Sequence, residues 1–193
     1  MIAPLRVGFV TGSTPDKWAR HWRDRRRESL HLVPTTEAEQ TDGVRDGSLD
    51  MAIVRLPVDQ DGLHCVRLYD ELQVAVASRE HLLAAADEEV TTADLVDEQL
   101  VRPHPSGWTP TADQLAWPPM TEHEAIETVA AGTGVVILPM SVARLHQRKD
   151  VVVRVVTDLE PTTIALVWRV ERDDDVTQAF VGVTKGRTAN TSR

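Results

Sequence analysis

The chain has 193 residues, 41% of them apolar, enough to bury one good core or two small ones. Its formal net charge of −9 argues against a nucleic-acid-binding chain, which normally carries a basic face. Cys65 is the single cysteine and excludes an internal disulfide; no apolar run approaches the ~20 residues that span a bilayer, and no signal-peptide pattern opens the chain. A soluble cytoplasmic protein with no membrane partner is the simplest expectation.

Leu5–Val10 reads as a short buried strand, and Thr14-Pro15-Asp16 as a helix start with a capping hydroxyl, a proline at the first position and an acid in the first turn. Trp18, Ala19 and Trp22 then share one inward face. With five Trp but two Phe and one Tyr, aliphatic residues must do most of the packing. Arg23 and Arg25-Arg26-Arg27 read as the solvated end of this helix rather than a phosphate patch. Residues 30–33 form a second strand, Thr36 with Glu39 a capping box for a helix that Gly47 ends, and residues 51–54 a third strand. Strand and helix in alternation predict parallel pairing in a doubly wound α/β layer.

Residues 72–77 make a further strand, after which the pattern restarts. Thr91 with Asp94 is another capping box and residues 99–102 a short strand. Residues 103–119 are irregular, with five prolines, Gly107, Trp108 and Trp117. Thr121 with Glu124 opens a helix leading into Val129-Ala130-Ala131-Gly132-Thr133-Gly134-Val135-Val136-Ile137-Leu138-Pro139. That run is a helix–strand–helix join whose corners need glycine. Residues 151–156 and 163–168 are strands rich in β-branched residues; Val176, Ala179, Phe180 and Val183 mark a last helix, and residues 186–193 a disordered tail.

Enzyme signatures are missing. His123, Glu124 and Glu127 do not make a His-Glu-x-x-His site, so neither a metal nor another cofactor is expected. There is no Gly-x-Ser-x-Gly elbow, and Cys65 has only His64 beside it. Gly132-Thr133-Gly134 lacks the third glycine of a dinucleotide fingerprint and precedes a strand.

In open α/β sheets ligands bind outside the carboxyl ends of strands, which directs attention to the loops that follow them. After the first strand come Thr11-Gly12-Ser13-Thr14, where Ser13 and Thr14 either offer hydroxyls to an anion or only cap the helix. Thr35 and Thr36 follow the second strand; Thr36 is a cap or a ligand contact. Arg55 follows the third, as a salt-bridge partner or as a planar fork for a carboxylate. In the second half, Arg102-Pro103-His104-Pro105-Ser106-Gly107-Trp108 follows a strand. Arg102, Pro103, His104 and Trp108 can complete a pocket for a flat acid; otherwise His104 is an exposed loop residue and Trp108 part of a core.

The glycine run closely resembles the signature near the end of the effector-binding domain of LysR-type transcriptional regulators. Leu5-Arg6-Val7-Gly8-Phe9-Val10, Gly47-Ser48-Leu49-Asp50-Met51-Ala52-Ile53, Leu68-Tyr69-Asp70-Glu71, His81-Leu82-Leu83-Ala84 and Val167-Trp168-Arg169 match that domain in order, with Leu82 in place of the family's proline. The resemblance implies an α/β fold: a two-lobed clamshell of the type II periplasmic-binding-protein kind, each lobe a mainly parallel sheet flanked by helices. Lobe I would be residues 1–72 plus 158–193 and lobe II residues 73–157. It implies a small organic acid as effector, aromatic or dicarboxylic, held between the lobes and approached by Ser13, Arg55 and the Pro103 loop; Thr14, Thr36, Arg102, His104 and Trp108 join that site as the strand-end positions read above. It also implies a homodimer, with DNA contacted only through a winged helix-turn-helix outside this sequence. A solute-binding protein of a transport system, a stand-alone sensor, an enzyme such as a dehydratase on the same fold and a degenerate cleft are the alternatives.

Overall fold

The computed structural model describes residues 3–186. In chain order its elements are β1 (Leu5–Val10), α1 (Asp16–Arg25), β2 (Leu30–Thr35), α2 (Asp42–Asp46), β3 (Met51–Arg55), β4 (Leu63–Glu71), β5 (Gln73–Ser78), β6 (Glu89–Val90), α3 (Glu122–Ala130), β7 (Val135–Pro139), α4 (Met140–Leu145), β8 (Val151–Val156), β9 (Thr162–Arg169) and α5 (Asp175–Thr184). They divide into two units: one runs to Asp70 and resumes at Thr163, the other is Glu71–Thr162. No helix among the described residues is long and apolar enough to cross a membrane.

In the first unit the alternation of strand and helix yields the parallel pairing it predicts. β1 pairs with β2 from Leu5–Leu30 to Val10–Thr35, and with β3 from Val7–Met51 to Phe9–Ile53. The sheet order is β2-β1-β3-β9-β4, with β9 antiparallel to β3. Successive residues of β3 and β9 feed opposite faces. Met51, Ile53, Ile164, Leu166 and Trp168 join Trp22 of α1 and Phe180 of α5 in one core, while Ala52, Val54, Ala165 and Val167 join Val44 of α2 in another. The Trp22 ring meets Phe180 edge-on at 5.6 Å, and its indole N–H donates to the Glu28 carbonyl at 2.8 Å, so the largest core residue leaves no polar atom unsatisfied. Arg26 caps the end of α1, lies over the Trp22 ring and pairs with Glu28 at 2.9 Å.

The second unit corrects the expectation of a mainly parallel sheet in each lobe. Its order is β6-β8-β5-β7, and β5 runs antiparallel to both β7 and β8; the parallel pairings are the two-residue β6 with β8 and a single bridge from Leu100 to Val135 of β7. β7 and β8, joined through α4, do run the same way, as a strand–helix–strand unit should. β5 inserts between them from the opposite direction. All six of its residues are buried, and a strand covered on both faces carries no trace in its sequence of its neighbours' direction. One face packs on α3 and α4 through Val74, Val76, Val136 and Leu138; the other packs Ala75, Ala77, Val135 and Ile137 against Leu83, Leu95 and Leu100.

The glycine run makes the join expected of it. Gly132 and Gly134 both have positive φ, at 94° and 62°. A Cβ at Gly134 would lie 2.2 Å from the Gln99 carbonyl oxygen, which accepts the Val135 N–H at 2.8 Å; at Gly132 nothing lies within 4 Å.

Local differences have local causes. Pro15, not Thr14, sits at the N-cap of α1 without a side-chain cap. Thr36 donates its hydroxyl to Glu39 at 2.8 Å instead of receiving a backbone N–H, so the chain makes turns there and α2 starts only at Asp42, though Gly47 ends it in the left-handed region as expected. Residues 99–102 reduce to one bridge, Leu100 to Val135. The tail at residues 187–193 lies outside the described residues.

Candidate functional site

The carboxyl ends of three adjacent parallel strands, β1, β2 and β3, bring together the segments singled out in the first half of the chain. Arg55 closes β3, and only 2% of its side chain is exposed. Both of its backbone groups are fixed by Gln40: the Arg55 N–H donates to Oε1 at 2.7 Å, and Nε2 donates to the Arg55 carbonyl at 3.0 Å. One terminal nitrogen donates to the Thr11 carbonyl at 3.1 Å, the other to Glu37 Oε2 at 3.2 Å. The guanidinium is thus aimed at the β1 and β2 ends and already holds a carboxylate. The Glu37 side chain that supplies it is 41% exposed.

Thr11 links Arg55 to β2, its hydroxyl donating to the Thr35 carbonyl at 3.5 Å. Thr35 Oγ1 is buried and has no hydrogen-bond partner. Ser13 is 5% exposed; its hydroxyl and its N–H both donate to the Val10 carbonyl, at 2.7 and 3.1 Å, so it shapes the loop first. Thr14 and Thr36 are exposed. The arrangement offers a buried cation, an unmet hydroxyl and two solvent-facing hydroxyls, groups that suit an anion. Glu37 and Gln40 escaped the sequence reading, because a partner lying in a turn 18 residues before its arginine has no local pattern.

The second unit places Arg102, Pro103, His104 and Trp108 differently. Arg102 is paired with Glu122 of α3 at 2.9 Å. Pro103 is exposed, whereas His104, expected as an exposed loop residue or a ligand contact, is 7% exposed. Burial, then the nearby Arg102 charge, holds its imidazole below the ordinary histidine range. Trp108 packs on the Leu95–Leu100 side of the core. Pro103, His104 and Trp108 nonetheless share a pocket of about 220 Å³ with Leu100, Gln114, Leu115 and Trp117. Among the described residues no group of three or more acidic, His or Cys side chains is placed to hold a metal.

Two α/β units and a chain that leaves the first and returns to it make a fold of the type II periplasmic-binding kind. The LysR substrate binding domain model matches residues 19–189, and the chain belongs to that family. It is 28% identical over 159 residues to the HTH-type transcriptional regulator CatR of Pseudomonas putida, covering 74% of this chain and 54% of CatR. It is 26% identical over 166 residues to the uncharacterized HTH-type transcriptional regulator YwbI of Bacillus subtilis (strain 168), covering 75% and 52%. The chain therefore spans about half the length of these relatives, which are transcriptional regulators and not enzymes. Among solved structures, the BenM effector binding domain with its effector benzoate superposes with a TM-score of 0.76 at 20% identity, over 96% of this chain and 95% of that one.

Proposed function

We propose that this chain is the ligand-sensing domain of a cytoplasmic LysR-type transcriptional regulator, and that its effector is a small aromatic or dicarboxylic acid whose carboxylate binds at the carboxyl ends of β1, β2 and β3. The observation that carries this reading is the buried Arg55 guanidinium, held by the half-exposed Glu37 carboxylate beside the unpartnered Thr35 hydroxyl. An effector acid takes the place of Glu37 on Arg55 and accepts a hydrogen bond from Thr35; Thr14, Thr36 and the Ser13 loop border it. Benzoate, the effector of BenM, sets the scale of the ligand. Paired copies of the domain then change how they present DNA-binding heads, because the acid favours one arrangement over the other.

Calorimetric titration of the purified chain with benzoate, and with benzamide as an uncharged control, tests the anion site. Thr35→Val removes a hydroxyl that has no partner, so the free protein keeps its melting temperature, while benzoate affinity falls by about tenfold or more, the loss of a hydrogen bond to a charged group. Glu37→Gln removes the competing carboxylate. Glu37 is half-exposed, so solvent screening limits its pair with Arg55 to about 0.5–1 kcal/mol, and benzoate affinity rises roughly 2–5-fold. Unchanged affinity in both variants would sink the carboxylate-exchange site.

A further inference from the structure

We propose that the site at the ends of β1, β2 and β3 selects acids that carry an ammonium group beside the carboxylate, the pattern of an α-amino acid. This rests on the proposed anion site and narrows its ligand. The observation behind it is the asymmetry of the Arg55–Glu37 pair, in which 2% of the first side chain is exposed and 41% of the second. The buried cation ends β3 and stays. The carboxylate stands on a surface turn and is the member that a ligand displaces.

Once displaced, Glu37 does not go far. Its turn, residues 36–41, is fastened to β3 by the buried Gln40, whose amide accepts the Arg55 N–H at 2.7 Å and donates to the Arg55 carbonyl at 3.0 Å. Within the turn the Glu39 N–H donates to the Thr36 carbonyl at 3.2 Å, and the Asp42 N–H to the Glu39 carbonyl at 3.1 Å. None of these bonds uses the Glu37 side chain, so all of them survive the exchange. They hold its backbone in place and leave side-chain rotation as the way its carboxylate moves. An acid seated on Arg55 therefore shares the site with a second carboxylate one side chain away.

The neighbouring loops do not neutralise that second charge. Residues 11–15, 36–41 and 56–62, which follow the three strands, contain Glu37, Glu39, Asp59 and Asp61 and no lysine or arginine. Arg45 of α2 is taken up by Asp59, at 3.2 Å. A plain carboxylate on Arg55 thus adds a like charge beside Glu37, which is unfavourable at short range. An ammonium on the carbon next to the ligand's carboxylate supplies a cation there, and gives Glu37 a partner in place of the one it has lost. One ion pair is exchanged for two: Arg55 with the ligand's carboxylate, and Glu37 with its ammonium.

Phenylacetate and the two enantiomers of phenylglycine are the probes, because the ammonium group is what separates them. Each is titrated calorimetrically into the full chain at pH 7. Solvent screens a half-exposed carboxylate, so the better phenylglycine enantiomer is expected to bind roughly 2–5-fold more tightly than phenylacetate. Glu37→Gln keeps the shape without the charge and should abolish that preference. Glu37→Lys should reverse it in favour of phenylacetate. Equal affinities in the wild-type protein, or a preference for phenylacetate, overturn the proposal and leave the anion site standing, since phenylacetate still binds. A preference that persists in Glu37→Gln also overturns it, because the ammonium then meets another group. Failure of both acids to bind removes the anion site itself, and this inference with it.

Discussion

Gly132 and Gly134 are two residues apart, both left-handed, and yet not equivalent. At Gly132 a methyl group meets open space, so Gly132→Ala carries only the backbone penalty, about 1–2 kcal/mol. At Gly134 the same methyl collides with a backbone oxygen that is holding Val135 in place. Gly134→Ala is expected to cost about 2–5 kcal/mol, the same penalty plus that of overpacking. Chemical denaturation of the two variants checks this, and equal losses would contradict it. Asp50 carries a pH dependence in the same way. Burial pushes its carboxyl up, but the Arg6 backbone N–H at 2.8 Å, the Arg6 guanidinium and Arg172 outweigh it and hold the group below the usual carboxylate range. A lowered folded pKa means stability that is present above the unfolded value of about 3.9 and lost as pH falls through the folded one. Asp50→Asn should therefore lower the melting temperature at pH 7, by roughly 2 kcal/mol of stability, with the gap to wild type closing as the pH falls below the ordinary carboxylate range and through the folded value. A gap that stays constant with pH would remove the charge from the account. Gly134 was legible in the sequence, because a helix running straight into a strand leaves few other residues for the corner. The Asp50 network was not, since its partners lie 44 and 122 residues away.

At the scale of the element, the threonines read as caps do not all start a helix. Thr121 accepts the Glu124 N–H at 3.3 Å while the Glu124 carboxylate receives the Thr121 N–H at 2.7 Å, a complete capping box at the start of α3. Thr91 and Asp94 form another at a single 3₁₀ turn. Thr14 has Lys17 in that place and stands outside the cap of α1, while Thr36 has Glu39 there but turns its hydroxyl to it without starting a helix. Thr121→Ala is thus expected to cost about 1 kcal/mol, and Thr14→Ala to stay within about 0.5 kcal/mol. Comparable losses at both positions by urea denaturation would mean that Thr14 caps after all. The pattern of a hydroxyl followed by an acid identifies where the backbone changes direction. Whether a helix of useful length follows depends on packing: Gly47 ends α2 after five residues and Leu49 folds back on it, donating its N–H to the Gly43 carbonyl at 2.7 Å, a contact that periodicity does not report.

At the scale of the whole molecule, the first unit's sheet was readable because parallel strands need helices between them, and those leave capping and glycine signals. The second unit's sheet was not, because the direction of β5 depends on which strands close around it. The strand-end site lies between these cases: Arg55 announces itself by ending an apolar strand, while the carboxylate it holds does not. The same pairing governs how the chain meets a polyanion. The net charge is −9, and its arginines are drawn into local pairs: Arg6 and Arg172 with Asp50, Arg45 with Asp59, Arg102 with Glu122, Arg148 with Asp150. A pair at this spacing cancels its field within a few ångströms, so these arginines add little to any positive face that could displace counterions from DNA. Chains that bind DNA without sequence preference do so at about 10⁻⁴–10⁻⁶ M at physiological salt and orders of magnitude more tightly at low salt. This 193-residue chain should therefore leave the anisotropy of a labelled 25-base-pair duplex unchanged at 50 mM salt and ~10 µM protein, with or without benzoate. Binding that weakened steeply with added salt would reveal a cationic surface of its own and would contradict a division of labour in which this domain senses the ligand while DNA is held elsewhere.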